Sequence, residues 1–362
     1  MEQKGEAAVS GREEKTGLTD VTVDVIIPIY KPDERLTGLL RMLLCQSVQP
    51  TQILLVNTDQ ESLDLHLLDA FTITEIPERE SCLGEREKSF SPTDRPESVL
   101  EKETEKQPVI RLLHIQKEAF DHGGTRHMAA SMLHGDRILF LTQDALPTNR
   151  FLIERLLVPF ANPQVCAAYA RQLPRQDCKE LERYSRSFNY PPQSRIKTDE
   201  DLQTMGIKAF FCSNVCAMYR RSAYEELGGF ERHTIFNEDM IFAGRLIQSQ
   251  KAIAYCADAE VIHSHNYSGI QQFHRNFDLG VSQAEHPEIF SCVHSESEGV
   301  RLIEKSAKYL VRKRKPWLII SLVWQSGCKY LGYCLGKNYR RLPLSLVRRC
   351  SMNKNYWEQG RK

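Results

Sequence analysis

The sequence predicts an α/β protein built on a mostly parallel sheet, and three observations carry that prediction. Short β-branched runs alternate with helical stretches from residue 21 onward: VTVDVIIPIY, a leucine-spaced helix, then QILLV. The later runs, such as QILLV and ILFL, are apolar throughout rather than alternating, as strands covered on both faces are. One run, within DRILFLTQDALP, stops abruptly at Thr142, Gln143 and Asp144, and Pro147 prevents a long continuation. A buried strand that delivers a carboxylate at its C-terminal end places it where open parallel sheets bind ligands. Read alone, Asp144 serves equally as a cap for the helix expected from residue 149.

The elements follow in order. Residues 1–19 are polar and without hydrophobic period, so a disordered leader is expected up to about residue 20. Residues 21–30 make a first buried strand that breaks at Pro28. Residues 33–46 place Leu36, Leu39, Leu40, Leu43 and Leu44 at helical spacing behind Asp33 as cap. Residues 52–56 are the second strand. The rhythm then breaks: from Asp59 to Lys106 there are 14 acidic and 6 basic residues, so 60–107 is expected to be an acidic flexible insertion, with a short helix near 63–71.

Strand 109–115 resumes the pattern, helix 122–133 opens with Gly123 and Gly124, and strand 137–141 carries Asp144 beyond its end. A helix over 149–160, a strand over 165–170 and a helix over 180–188 come next, the last ended by Tyr190-Pro191-Pro192. Residues 210–219 read as a strand, and 238–250 as a helix. Two short strands, 253–255 and 260–262, lead into His263-Ser264-His265, and the text beyond 269 is mostly helical. The expected division is a leader over 1–20, an α/β domain over 21–290 and a basic helical extension over 291–362.

Composition narrows the partners. The 362 residues are 41% hydrophobic and 26% charged, and the net charge of +1 hides an asymmetry. From Arg301 to Lys362 there are 16 basic and 2 acidic residues, which leaves the first 300 at about −13. The tail therefore suits an anionic partner, while the acidic body excludes a nucleic-acid binder. Eleven cysteines are scattered without metal-site spacing, and no signal-peptide pattern opens the chain, which fits reduced thiols in the cytosol. Residues 317–335 are the most apolar run, interrupted by Gln325 and Lys329 and flanked by Arg312 to Lys315 and by Arg340 and Arg341. That pattern fits a helix lying in an anionic membrane surface, and equally a core helix with a solvated basic end.

Several residues could carry chemistry. Asp144 suits a hard divalent cation facing phosphates. Glu238 and Asp239 open a helix; they either favour its dipole or supply a base and its neighbour, since paired carboxylates raise one another's pKa. His263 and His265 share a face if extended, and one of them could complete a metal site with Asp144. Arg275 is a phosphate partner by type. In His122-Gly123-Gly124-Thr125-Arg126, the glycine backbone at Gly124 and the Arg126 guanidinium suit a phosphate at a strand-to-helix turn.

Taken together, the segments VIIPIYKP, FDHGGTRH, FLTQDALP, YARQLPR, FNYPPQSR, GIKAFFCSN, LGGF, NEDM and VIHSHNYS recur in order from about residue 23 to 290. This stretch resembles the family 2 glycosyltransferases of the GT-A fold, and within them the rhamnosyltransferase branch. The resemblance implies a nucleotide pocket at Pro28, Tyr30, Asp59 and Arg126, a metal motif at Gln143-Asp144, a base at Asp239 with Glu238 beside it, and a late metal-reaching histidine at His265. It implies inverting transfer of a sugar, L-rhamnose from dTDP-L-rhamnose foremost or else from a UDP- or GDP-linked donor. The acceptor would be a hydroxyl of a cell-surface polysaccharide or lipid-linked glycan. Mg²⁺ or Mn²⁺ and a location at the cytoplasmic face of the cell membrane belong to the same expectation.

Three positions depart from the family pattern. Thr142 stands where the metal motif has its first acid, His127 where Asn is common, and VNTD where an Asp-rich turn is usual. Two readings of other classes remain: a catalytically silent glycan-assembly partner, and a nucleotidyltransferase, which would need a Gly-rich basic loop where IYKPDERL stands.

Overall fold

A computed structural model describes residues 21–77, 108–292 and 296–359. The expected leader and the larger part of the acidic insertion lie outside the described residues.

Ten strands form one mixed sheet: β1 (Val23–Ile29), β2 (Gln52–Thr58), β3 (Ile73–Ile76), β4 (Val109–Ile115), β5 (Arg137–Leu141), β6 (Leu146–Pro147), β7 (Val165–Leu173), β8 (Arg195–Lys197), β9 (Cys216–Arg220) and β10 (Ala252–Ile262). Their order is β3-β4-β2-β1-β5-β9-β7-β10-β6, with β8 also on β10. β1 to β5 pair in parallel; β9 runs against β5 and β7, and β6 and β8 run against β10. The chain leaves β1 toward β2 on one side and returns as β5 on the other. That reversal opens a crevice at the C-terminal ends of β1 and β5.

The continuous apolar runs have their expected cause. β1 is buried on both faces, with Val25, Ile27 and Ile29 in one core and Ile26 in the other. The first core lies under α1 (Glu34–Leu44) and α3 (Leu152–Leu157); the second lies under α2 (His122–Ser131) and α5 (Glu238–Gln248). Between them, α4 (Glu180–Asn189) follows β7. Asp33 caps α1 by accepting from the Arg35 N–H at 3.0 Å, as expected.

Several expectations are corrected. β1 does not break at Pro28 but runs to Ile29; its pairing with β5 stops at Ile26, so the proline sits where the strand has one neighbour. Residues 60–77 of the presumed insertion are part of the sheet edge. Two short 3₁₀ turns, Gln60–Ser62 and Leu65–Leu67, replace the expected helix, and β3 then pairs with β4. The strand expected over 210–219 begins only at Cys216, because side chains rather than a ladder satisfy the preceding backbone: Lys197 donates to the Lys208 and Phe211 carbonyls. The two short strands before His263 are one strand, β10, whose register slips against β7 between Cys256 and Glu260.

Beyond residue 269 the chain is helical: α6 (Gly269–Glu285), α7 (Glu296–Arg312), α8 (Leu318–Lys337) and α9 (Leu344–Cys350). α6 and α8 pack backbone to backbone through glycines. A Cβ at Gly332 would lie 2.3 Å from the Phe273 carbonyl oxygen, and one at Gly336 would lie 2.1 Å from that of Phe277. Gly336→Val must therefore push the helices apart. It is expected to lower unfolding free energy by about 1–3 kcal/mol, read from urea melts.

Candidate active site

The crevice gathers residues from both sides of β1. Gln143, just past β5, accepts from the Tyr30 N–H at 2.8 Å and donates to the Tyr30 carbonyl at 3.0 Å, which stitches the two loops together. Pro28, Tyr30, Gln143 and Asp144 thus meet at one sheet edge. Tyr30 keeps an exposed ring, with the ammonium groups of Lys31 and Lys117 5.4 and 6.0 Å from its centre. Asp59 lies on the same edge at the end of β2, in the left-handed region at φ 74°.

Asp144 does not cap a helix. β6 pairs Leu146 with Ile262 of β10, and this short ladder lays Asp144 against the residues that follow β10. His263 Nε2 is 3.5 Å from Asp144 Oδ1, and His265 Nε2 is 3.8 Å from Asp144 Oδ2. One ligand atom from each of the three lies within 4.8 Å of the others. Arg35 stands 3.7 Å from the same carboxylate.

His263 joins His265 in this cluster, and its tautomer can be assigned. Arg186 donates to Gln172 Oε1, and Gln172 Nε2 donates to Ser213 Oγ at 3.0 Å, which fixes the amide. Gln172 Oε1 faces His263 Nδ1 at 3.1 Å, so that nitrogen carries the proton and Nε2 turns a lone pair toward Asp144. Burial drives the His263 pKa down to about 3 against the pull of Asp144, and lowers that of His265 as well. Neutral imidazoles facing a carboxylate form a donor set that fits a divalent cation. Thr142 adds nothing to it: its hydroxyl is buried and its N–H donates to the Val215 carbonyl at 3.2 Å. The second and third possible ligands beside Asp144 are thus histidines from beyond β10, not neighbours in sequence.

Glu238 and Asp239 open α5 behind Asn237, which sits at φ 75°, a left-handed conformation that Asn tolerates better than most residues. Asn214 grips both acids: its N–H donates to Asp239 Oδ2 and its amide to Glu238 Oε1, each at 3.0 Å. The Tyr219 hydroxyl holds the Asn214 carbonyl at 2.9 Å. Asp239 stays partly exposed, while Glu238 is buried. Burial, then the adjacent Glu238, raises the Asp239 pKa to about 7. The fold therefore holds this proton over a window, from about 3.8 to about 7, in which the unfolded chain releases it. Stability contributed by the proton is lost as pH rises through that window, and base strength near neutral pH is gained.

Two expected phosphate contacts have other partners. Arg126 is buried, with Nη1 3.2 Å from Glu238 Oε1 and donating to the His122 carbonyl at 2.8 Å. The Gly123 and Gly124 N–H groups donate to Asp121 Oδ1 at 3.0 and 2.7 Å, so they are not left for a ligand. The glycines are small for packing: a Cβ on Gly124 would lie 2.5 Å from the Arg232 carbonyl oxygen. Arg275 stacks on Phe236 at 4.5 Å and lies 5.8 Å from the Tyr267 ring, close enough to His265 to lower its pKa. Asn214, Gln172 and Arg35 were not legible as site residues, since each acts through a neighbour remote in sequence.

A sheet edge that presents one carboxylate with two imidazoles, beside a shielded acid pair at a helix start, offers a ligand set for a divalent cation and a candidate base. The family is given by comparison with known sequences. Residues 89–228 match the model of Glycosyl transferase family 2. The O-antigen chain rhamnosyltransferase RfbN of Salmonella typhimurium is 42% identical over 250 residues, 68% of this chain and 79% of that protein. WbaN of Salmonella anatum, with the same description, is 43% identical over 248 residues, 68% of this chain and 78% of that protein. Among solved structures, a mannosyltransferase from Pyrobaculum calidifontis is similar at TM-score 0.48 and 14% identity, over 93% of this chain and 85% of that one. The chain belongs to glycosyl transferase family 2.

Two measurements test the acid pair. Arg126→Ala leaves Glu238 buried without its counter-charge and is expected to cost about 3–5 kcal/mol in urea melts, partly restored by adding Glu238→Gln. The pH profile of kcat/KM is expected to rise as pH passes about 7, where Asp239 loses its proton; a profile already flat from pH 5 rejects that role.

Proposed function

We propose that the protein transfers L-rhamnose from dTDP-L-rhamnose to a hydroxyl of a cell-surface polysaccharide precursor carried on lipid, with inversion at the anomeric carbon. The observation that carries the mechanism is Asp239: a carboxyl group raised to about 7, held by Asn214 and partly exposed. The acceptor oxygen forms its bond to the anomeric carbon as the bond to the diphosphate oxygen breaks. Asp239 takes the hydroxyl proton, and the nucleoside diphosphate departs with the bonding pair. No enzyme nucleophile is required. Glu238, tied to Arg126 and Asn214, positions the base and keeps a charge beside it.

The donor is assigned to the crevice between β1 and β5, where Pro28, Tyr30 and Asp59 line the nucleotide side and Arg275 faces the leaving group. Asp144, His263 and His265 would hold Mg²⁺ or Mn²⁺, which when bound offsets the charge of the leaving diphosphate. The choice of rhamnose rests on the descriptions of the two Salmonella relatives. Turnover of this kind belongs on the cytoplasmic side, where nucleotide sugars are made.

A donor panel of dTDP-, UDP- and GDP-linked sugars, read as release of free nucleoside diphosphate, tests the assignment. dTDP-L-rhamnose is expected to be preferred, and Asp239→Asn to slow release by about 10²–10⁴-fold. Preference for another donor removes the rhamnosyl assignment. Full activity in Asp239→Asn removes the base. A wild type inert toward every donor supports the catalytically silent reading instead.

A further inference from the structure

Among the described residues, much of the face of α8 turned away from the sheet lies open to solvent. Leu322, Lys329, Gly332 and Gly336 point inward, with Lys329 near enough to Glu182 and Arg186 of α4 and to Arg275 of the site to feel their charges. On the opposite side Ile320 is 78% exposed and Trp324 62%, and Trp317, Val323, Tyr330 and Leu331 are exposed along the same helix. These positions recur at intervals of three and four and form one stripe. Ile270, 63% exposed on α6, extends it, and an open apolar groove runs between the two helices beside Phe273 and Trp324.

Basic residues frame the stripe. Arg312, Lys313 and Arg314 lie exposed before α8, and Lys337, Arg340 and Arg341 lie exposed after it. Among the described residues, no helix is long and apolar enough to cross a membrane. Aromatic and aliphatic side chains along one exposed face, with cations at both ends, suit the boundary between lipid headgroups and acyl chains. A second copy is a poor occupant, since pairing the stripe with itself would oppose two basic ends.

We propose that this face seats the enzyme on an anionic lipid bilayer, with Trp324 and its neighbours in the interface and the flanking Arg and Lys residues on the headgroups. Because the inner face of α8 borders the crevice, docking would bring the acceptor side of the site close to the membrane. That last step rests on the glycosyl-transfer reading; the docking itself rests on the stripe and its charges.

The test uses the full-length protein with phosphatidylcholine vesicles, with and without phosphatidylglycerol, in the absence of donor. Cosedimentation is expected with the anionic vesicles and is expected to weaken about tenfold between low and high salt. Ile320→Asp/Trp324→Asp is expected to reduce binding at least about tenfold, with unchanged thermal melting and unchanged donor turnover on a soluble acceptor. Quenching of tryptophan fluorescence by brominated acyl chains is expected in the wild type. Equal binding by the double variant overturns the proposal. So does a wild type that ignores anionic vesicles, or one that is a dimer in solution which the double substitution dissolves. Because binding and donor turnover are read separately, loss of either conclusion leaves the other standing.

Discussion

Glu238 and Asp239 stand side by side, the first buried and the second only partly exposed, and the architecture around them answers that constraint. Arg126 supplies the counter-charge from α2, 3.2 Å from Glu238. Asn214 supplies two hydrogen bonds from the loop before β9. The loop is in turn tied down by the buried ammonium of Lys197 on β8, whose pKa burial lowers to about 7. Three remote segments are thus held by one electrostatic requirement. Leaving either carboxylate unpaired in this setting would cost more than any single apolar contact nearby contributes. In the proposed mechanism Asp239, the less enclosed of the two, is the group whose proton is exchanged.

The opposite side of the crevice follows a different logic. A single carboxylate at a strand end binds a divalent cation weakly, and the segment around Asp144 supplies no second one. Here the β6–β10 ladder brings His263 and His265 to the carboxylate. Gln172 then orients one ring so that its lone pair faces the ligand position. Gln172 also reaches Ser213, the residue before Asn214. One set of hydrogen bonds therefore runs from the cation side to the acid pair, and the two halves of the site share a loop.

The helical extension closes the structure from below. Its glycines allow α8 to approach α6 at backbone distance, and Asp278 and Glu285 of α6 receive hydrogen bonds from Asn353, Tyr339 and Tyr356. Packing that tight on one side of α8 leaves large apolar residues on the other, where they are exposed among the described residues.

The sequence by itself determined most of the order of strands and helices, the carboxylate of Asp144 beyond a buried strand, and the adjacency of Glu238 and Asp239 at a helix start. Apolar periodicity, prolines and short motifs are local signals, and each of these features is local. It also showed the apolar run and its basic flanks, because charge asymmetry is a property of composition. What it could not decide was how remote side chains share one environment. Arg126 and Gly124 carried the right chemistry for a phosphate, yet folding gave Arg126 to Glu238 and the glycine N–H groups to Asp121. Residues 60–77 looked like an insertion because edge strands need little hydrophobic pattern, and only pairing with β4 made β3 a strand. Asn214 and Gln172 gave no sequence signal, since a single polar residue acquires its role from the groups brought to it. The tertiary structure decided those roles, because hydrogen bonds and ion pairs depend on distances that no spacing along the chain encodes.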